Sequence, residues 1–198
     1  ARGGNPAASY DLLAKWLKVG YRYFNEFAVK EMSESEREKY EKFVEGVRPL
    51  VKRLDEVNRQ KLLPSLREGE AGVVLEGKLK SKQIAAEAPA FEKPMPLPEG
   101  AVVLALSDAK LFRESLEAYR EIANGVIDVL HQLEPDDVPD SEIPAPKEKK
   151  SKAGTVYQYP LPEEIGLDKQ IGPTVGVSES VAVLSLSRKQ PGRLLEAT

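Results

Sequence analysis

The spacing of apolar side chains changes once along this chain, and that change limits what it can fold into. Up to about Leu62 they recur every three or four residues; beyond it they fall in short runs or alternate. The first spacing lines one face of a helix and the second builds strands. A chain that does one and then the other folds as α+β. The expectation is an N-terminal antiparallel helical hairpin over residues 1–66. An antiparallel β-sheet with helices on one face follows over residues 67–198.

Within the helical part, residues 1–8 are small and Gly-rich and read as frayed. Leu12, Leu13, Trp16, Leu17, Tyr23, Phe24 and Phe27 then fall mostly on one helix face, with Gly20 weakening the middle. Ser33-Glu34-Ser35-Glu36 matches a capping box, in which Ser33 and Glu36 exchange hydrogen bonds with each other's backbone N–H. Tyr40, Val44, Val47, Val51 and Leu54 step by 4, 3, 4 and 3, a heptad seam widened by Phe43, Leu50 and Val57. Pro49 lies inside it and should kink or split the helix. The seam reads as intramolecular core, because a partner-binding coiled coil needs more heptads than these.

Leu62-Leu63-Pro64 closes the helical region. Residues 72–79 read as a strand. Pro89, Pro94, Pro96 and Pro98 mark an extended structural connector. Residues 101–106 form a buried strand by length and β-branching. Ser107 and Asp108 are N-cap types for a helix whose apolar face carries Leu111, Phe112, Leu116, Tyr119, Ile122, Val126, Ile127 and Leu130. Residues 134–152 turn from acidic to basic around four prolines and read as a long, disordered loop, with Lys147, Lys149, Lys150 and Lys152 solvated. Residues 155–159 alternate as a strand, and 162–168 form a helical turn. Residues 173–177 and 181–186 make a hairpin around Ser178-Glu179-Ser180. Ser187 to Gln190 reads as a second capping box, opening a last helix.

Val102 to Ser107 (VVLALS) and Ala182 to Ser187 (AVLSLS) echo one another about 80 residues apart, each before a helix. The echo reads either as a duplicated β-rich unit, with copies over 67–133 and 153–198 and the second truncated, or as ordinary capping chemistry that recurs.

Composition removes several function classes. Cysteine is absent, so disulfides, thiol nucleophiles and zinc–thiolate sites are excluded. A net charge of -3 offers no basic stripe for nucleic acid. No apolar run approaches the ~20 residues of a membrane-spanning helix. The chain opens at Ala1 without a leader pattern and stops at Thr198 soon after a helix start, so it reads as a segment of a longer chain.

Four stretches resemble large, uncharacterised bacterial proteins found notably in planctomycetes: RPLVKRLDEVNRQKLLPSLREG, GVVLEGKLKSKQ, GAVVLALSDAKLFRESLEAYREI and YPLPEEIGLDKQIGPTVGVSESVAVLSLS. The resemblance covers roughly residues 45–195 and consists of strand-and-cap patterns. It implies an extracytoplasmic protein, since those proteins carry signal sequences, and it carries over no activity and no catalytic residues.

The residues themselves offer weak chemistry. His131 is the only histidine, so any triad would have to use it as base. Its place near a helix end favours capping or plain exposure. Asp136, Asp137, Asp140 and Glu142 are the best hard-cation cluster, but their spacing is not that of an EF-hand and they read as a solvated acidic loop. Gly176-Val177-Ser178-Glu179-Ser180 lacks the final glycine of a nucleophile elbow. Glu163 and Glu164 are adjacent and diverge on a helix. Tyr157 and Tyr159 share a strand face, where cross-strand packing is the commoner role. No catalytic, cofactor or metal residue is assigned. The function expected is a non-catalytic structural or binding module. The alternatives are a fragment of a hydrolase-like enzyme whose site is shared with residues elsewhere, and self-association through helix 34–60.

Overall fold

The computed structural model describes residues 5–162 and 165–197. The chain divides into two compact units, Ala1–Pro64 with Leu111–Ile143, and Ser65–Lys110 with Pro144–Thr198. The division differs from the expected boundary at 66/67, because the third long helix groups with the N-terminal helices.

In the first unit, helix α1 (Pro6–Tyr23) starts abruptly rather than fraying through residue 8. The Asn5 side chain accepts the Ala8 N–H at 3.1 Å, and Pro6 occupies the first turn, where its missing N–H costs nothing. Gly20 does not interrupt it. A π turn (Phe24–Ala28) and the one-turn helix α2 (Val29–Glu31) follow. The Ser33–Glu36 capping box forms as expected and opens α3 (Glu34–Val57). Pro49 does not split α3, since one proline removes a single backbone hydrogen bond from a helix of 24 residues. A second π turn (Asn58–Leu62) and the one-turn helix α4 (Leu63–Ser65) end the run. In α5 (Ala109–Leu133), Ala118 and Ile122 bury against Val57, with Leu50 and Tyr119 packed around them. Close approach here depends on glycine: a Cβ at Gly125 would meet Leu50 at 2.8 Å. Of the expected seam, Tyr40, Val44 and Val47 are half-buried, while Val51 and Leu54 stay exposed.

The second unit is a six-stranded, wholly antiparallel sheet of order β1-β2-β6-β5-β4-β3. Strand β1 (Leu66–Ser81) and strand β2 (Met95–Leu106) are longer than expected, and β2 takes in Pro96 and Pro98 from the supposed connector. Prolines fit there because β6 (Val181–Ser187) pairs only with residues 101–105 of β2, so 95–99 have no ladder partner on that side. Strand β3 (Lys147–Ser151) corrects the expected disordered loop. All five of its residues are exposed at the sheet edge, so a Lys-rich strand there has the composition of a loop. It turns into β4 (Gly154–Gln158), which pairs with β5 (Ile171–Val177). The hairpin of β5 and β6 is as expected. Glu163 and Glu164 lie outside the described residues; the Ile165 N–H bonds the Pro162 carbonyl at 3.2 Å, a helical turn as expected but ending early, since Leu167 makes an isolated bridge with Ala85.

The register sorts the sheet into two faces. Val103, Val183, Gly176 and Val156 form one row across four strands. Helix α6 (Gln190–Ala197) lies on that face, burying Leu195 with Ala101, Val156 and Val183. The two echoing strands, β2 and β6, are neighbours. Val103 sits opposite Val183, the same two positions that the sequence echo equates. A duplicated strand would pair about a local two-fold axis in this way.

Candidate functional site

Two polar clusters stand out, one buried in the sheet unit and one half-buried in the helical unit, and both are consumed by structure. In the sheet unit, Glu99 is 2% exposed. Its Oε2 accepts the N–H groups of Lys78 (3.1 Å) and Leu79 (2.8 Å), where β1 slips register against β2. Ser187 Oγ and Arg193 donate to the same carboxylate, and Arg193 also reaches Glu76 at 2.9 Å. Burial alone pushes the Glu99 carboxyl up, but the Ser187 hydroxyl, Arg193 and the Leu79 amide together hold it below its ordinary value. The capping box expected at Ser187–Gln190 does not form. Ser187 serves Glu99, and the Gln190 side chain bonds the Ser185 hydroxyl and the Glu99 carbonyl. A cavity of about 360 Å³ adjoins this cluster, lined mainly by Leu79, Ile84, Leu97, Ile171 and Leu186. The polar side chains on its wall, Glu99 and Ser187, already bond each other.

In the helical unit, Tyr10 donates to Asp55 at 2.7 Å, Asn58 donates to Tyr10 at 3.2 Å, and Tyr119 donates to Asn58. The Arg59 guanidinium lies over the Tyr10 ring at 5.1 Å and pairs with Asp11 and Asp55. Burial pushes the Tyr119 hydroxyl up to about 12, with a smaller push from Tyr10. At the far end, Tyr40 donates to Asn25 at 3.2 Å. Helix α1 is thus fastened to α3 near its start, and the π turn that continues it is fastened to α3 through Asn25, both by polar side chains.

That fastening turns the apolar stripe of α1 outward. Its half-buried residues include Tyr10 and Ala14, not the leucines. Leu12, Leu13, Trp16, Leu17, Tyr23 and Phe27 are all more than half exposed, with Trp16, the only tryptophan, at 67%. Leu12, Trp16, Val19 and Tyr23 step by 4, 3 and 4. The π turn takes in an extra residue and keeps Phe27 in line, its ring stacked on Tyr23 at 5.9 Å. Leu13 and Leu17 run beside them. Lys15, Lys18 and Arg22 recur at i, i+3 and i+7 on the opposite flank; none is in ion-pair range of a carboxylate among the described residues, though Lys18 is near enough to Asp55 to help hold its carboxyl down. Arcs this apolar normally face a core, and exposed patches this large mark interaction surfaces.

The residues singled out in the sequence do not converge. His131 Nδ1 contacts the Val138 carbonyl at 2.6 Å, closing the C-terminal end of α5. Among the described residues no group of three or more His, Asp or Glu side chains is arranged to hold a metal ion. Ser178 Oγ accepts the N–H groups of Ser180 and Val181, so it builds the β5–β6 turn. Tyr157 is half-buried on β4, opposite Val175. Comparison with family models, with curated proteins and with solved structures finds no match.

Proposed function

We propose that this chain is a non-catalytic docking module of a larger extracytoplasmic bacterial protein, and that α1 receives another helix with an apolar seam and an acidic flank. The extracytoplasmic and bacterial setting rests on the sequence resemblance alone; the docking rests on the exposed stripe of α1. Six large side chains present on the order of 600–800 Å² of surface, near the ~800 Å² that each partner buries in a stable complex. The 4-3-4 spacing lines these side chains along one side of α1, an elongated apolar strip that suits an amphipathic helix laid against it without needing the heptads of a coiled coil. Lys15 and Arg22, outside ion-pair range of any carboxylate among the described residues, select acidic residues beside that seam. Tryptophan and tyrosine at the centre of such a face are the residue types that carry binding energy.

The test uses a labelled peptide with leucine at the seam positions and glutamate on the flanks, titrated into the whole chain and read by anisotropy. A lysine-flanked twin and anionic lipid vesicles are the other arms. The acidic peptide should bind, the basic twin should bind at least tenfold more weakly, and Trp16→Ala should cost about 2 kcal/mol. Equal binding of the two peptides, or binding to vesicles alone, refutes the helix partner.

A further inference from the structure

The two edges of the sheet are built differently. Edge strand β3 reads Lys-Glu-Lys-Lys-Ser, the charge pattern that keeps a sheet edge from pairing. Edge strand β1 carries Gly-Val-Val-Leu at its centre, with Val73 at 73% and Leu75 at 77% exposure. Its residues 71–76 run in unbroken register with β2, and among the described residues their backbone bonds no other strand. The register also places Val73 beside Val102, and Leu75 beside Gly100, on the face that carries exposed Leu186. The open edge therefore continues an apolar patch.

We propose that β1 pairs antiparallel with β1 of a second copy of this chain, joining two sheets edge to edge. The strand's own sequence selects that occupant and its register. Opposed residues share a face, so the two apolar patches merge on one side only when the paired residue numbers have an even sum. Centring on Val73 matches Val73 to itself but sets Leu75 against Ala71 and Val74 against Gly72. Centring on Val74 sets Val73 against Leu75 in both directions, Val74 against itself and Glu76 against Gly72, all inside the unbroken stretch 71–76. The second register matches every large apolar side chain of that stretch and opposes no like charges. The pairing is isologous and closes at two copies, so it makes a dimer and not a fibre.

The absence of cysteine makes the register directly readable. Val73→Cys and Leu75→Cys change exposed side chains only. Mixed one to one and mildly oxidised, the two variants should link into a dimer, because opposed residues lie within the ~4.4–6.8 Å Cα span of a disulfide. Each variant alone should not link, since a residue and its own copy sit diagonally at roughly 7–8 Å. Sedimentation of the whole chain should show mass rising from 21.9 kDa towards about twice that. Val73→Lys and Leu75→Lys should return it to the monomer with the far-ultraviolet dichroism unchanged, while Trp16→Ala should leave the dimer in place. A chain that stays monomeric to about 1 mM, the Kd of an association worth only ~4 kcal/mol, overturns the proposal. So does a dimer that survives both lysine variants, or linking by the single variants as efficient as in the mixture.

Discussion

Replacing Glu99 with glutamine keeps the shape of the side chain and removes its charge. The glutamine carbonyl can still accept the N–H groups of Lys78 and Leu79, now held at 3.1 and 2.8 Å. Its amide nitrogen then takes the place of Oε1, where Ser187 can turn its hydroxyl to accept. Arg193 carries only donors, so it loses its bond to that atom and keeps the one to Oε2, also 2.9 Å away. Removing one partner of a buried ion pair costs about 3–5 kcal/mol. Arg193 keeps Glu76 at 2.9 Å and its side chain is 30% exposed, so the loss should fall to about 2–3 kcal/mol. Urea unfolding followed by dichroism reads this as a lower midpoint at unchanged slope. The pH dependence is the sharper check. Glu99 is held below its ordinary value, so its contribution is present above that value and fades as pH falls through the folded-state value. Wild type and Glu99→Gln should differ at about pH 7 and converge as pH falls below the ordinary carboxylate range. A gap below about 0.5 kcal/mol at neutral pH, or one that persists in acid, refutes the reasoning.

Two further perturbations follow from local geometry. Gly154 has φ of 144°, and a Cβ there would lie 2.4 Å from the Val177 carbonyl oxygen; Gly154→Ala should cost about 2–4 kcal/mol, and an unchanged unfolding midpoint contradicts this. Tyr119 ionises only near about 12 in the folded chain, so stability should fall as pH rises from the ordinary 10.0 towards that value. Tyr119→Phe should flatten that alkaline slope, and a slope equal to wild type's counts against burial as its cause.

Element types were largely legible in the sequence, because periodicity and capping act locally. The Ser33 box formed since both its partners lie within one turn. The Ser187 box did not, since Glu99, a long-range partner on β2, claimed the serine. Glu99 itself left a signal: a lone carboxylate between Pro98 and Gly100 ahead of a buried strand. Its partner Arg193 left none. The edge strand β3 was hidden because a wet edge needs no apolar alternation. The face of α1 was the largest miss in placement. Periodicity shows that a stripe exists, but tertiary polar contacts decide where it points. Here Tyr10, Asp55 and Asn58 fasten the other side of the helix to α3.

Acrylamide quenching of Trp16 in dilute, unpartnered chain reports on that face directly, because the protein has a single tryptophan. With the indole 67% exposed, quenching should approach that of free tryptophan and drop when the glutamate-flanked peptide is added. An indole already shielded in the isolated monomer would mean the stripe is covered from within, leaving α1 no surface on which to dock a partner.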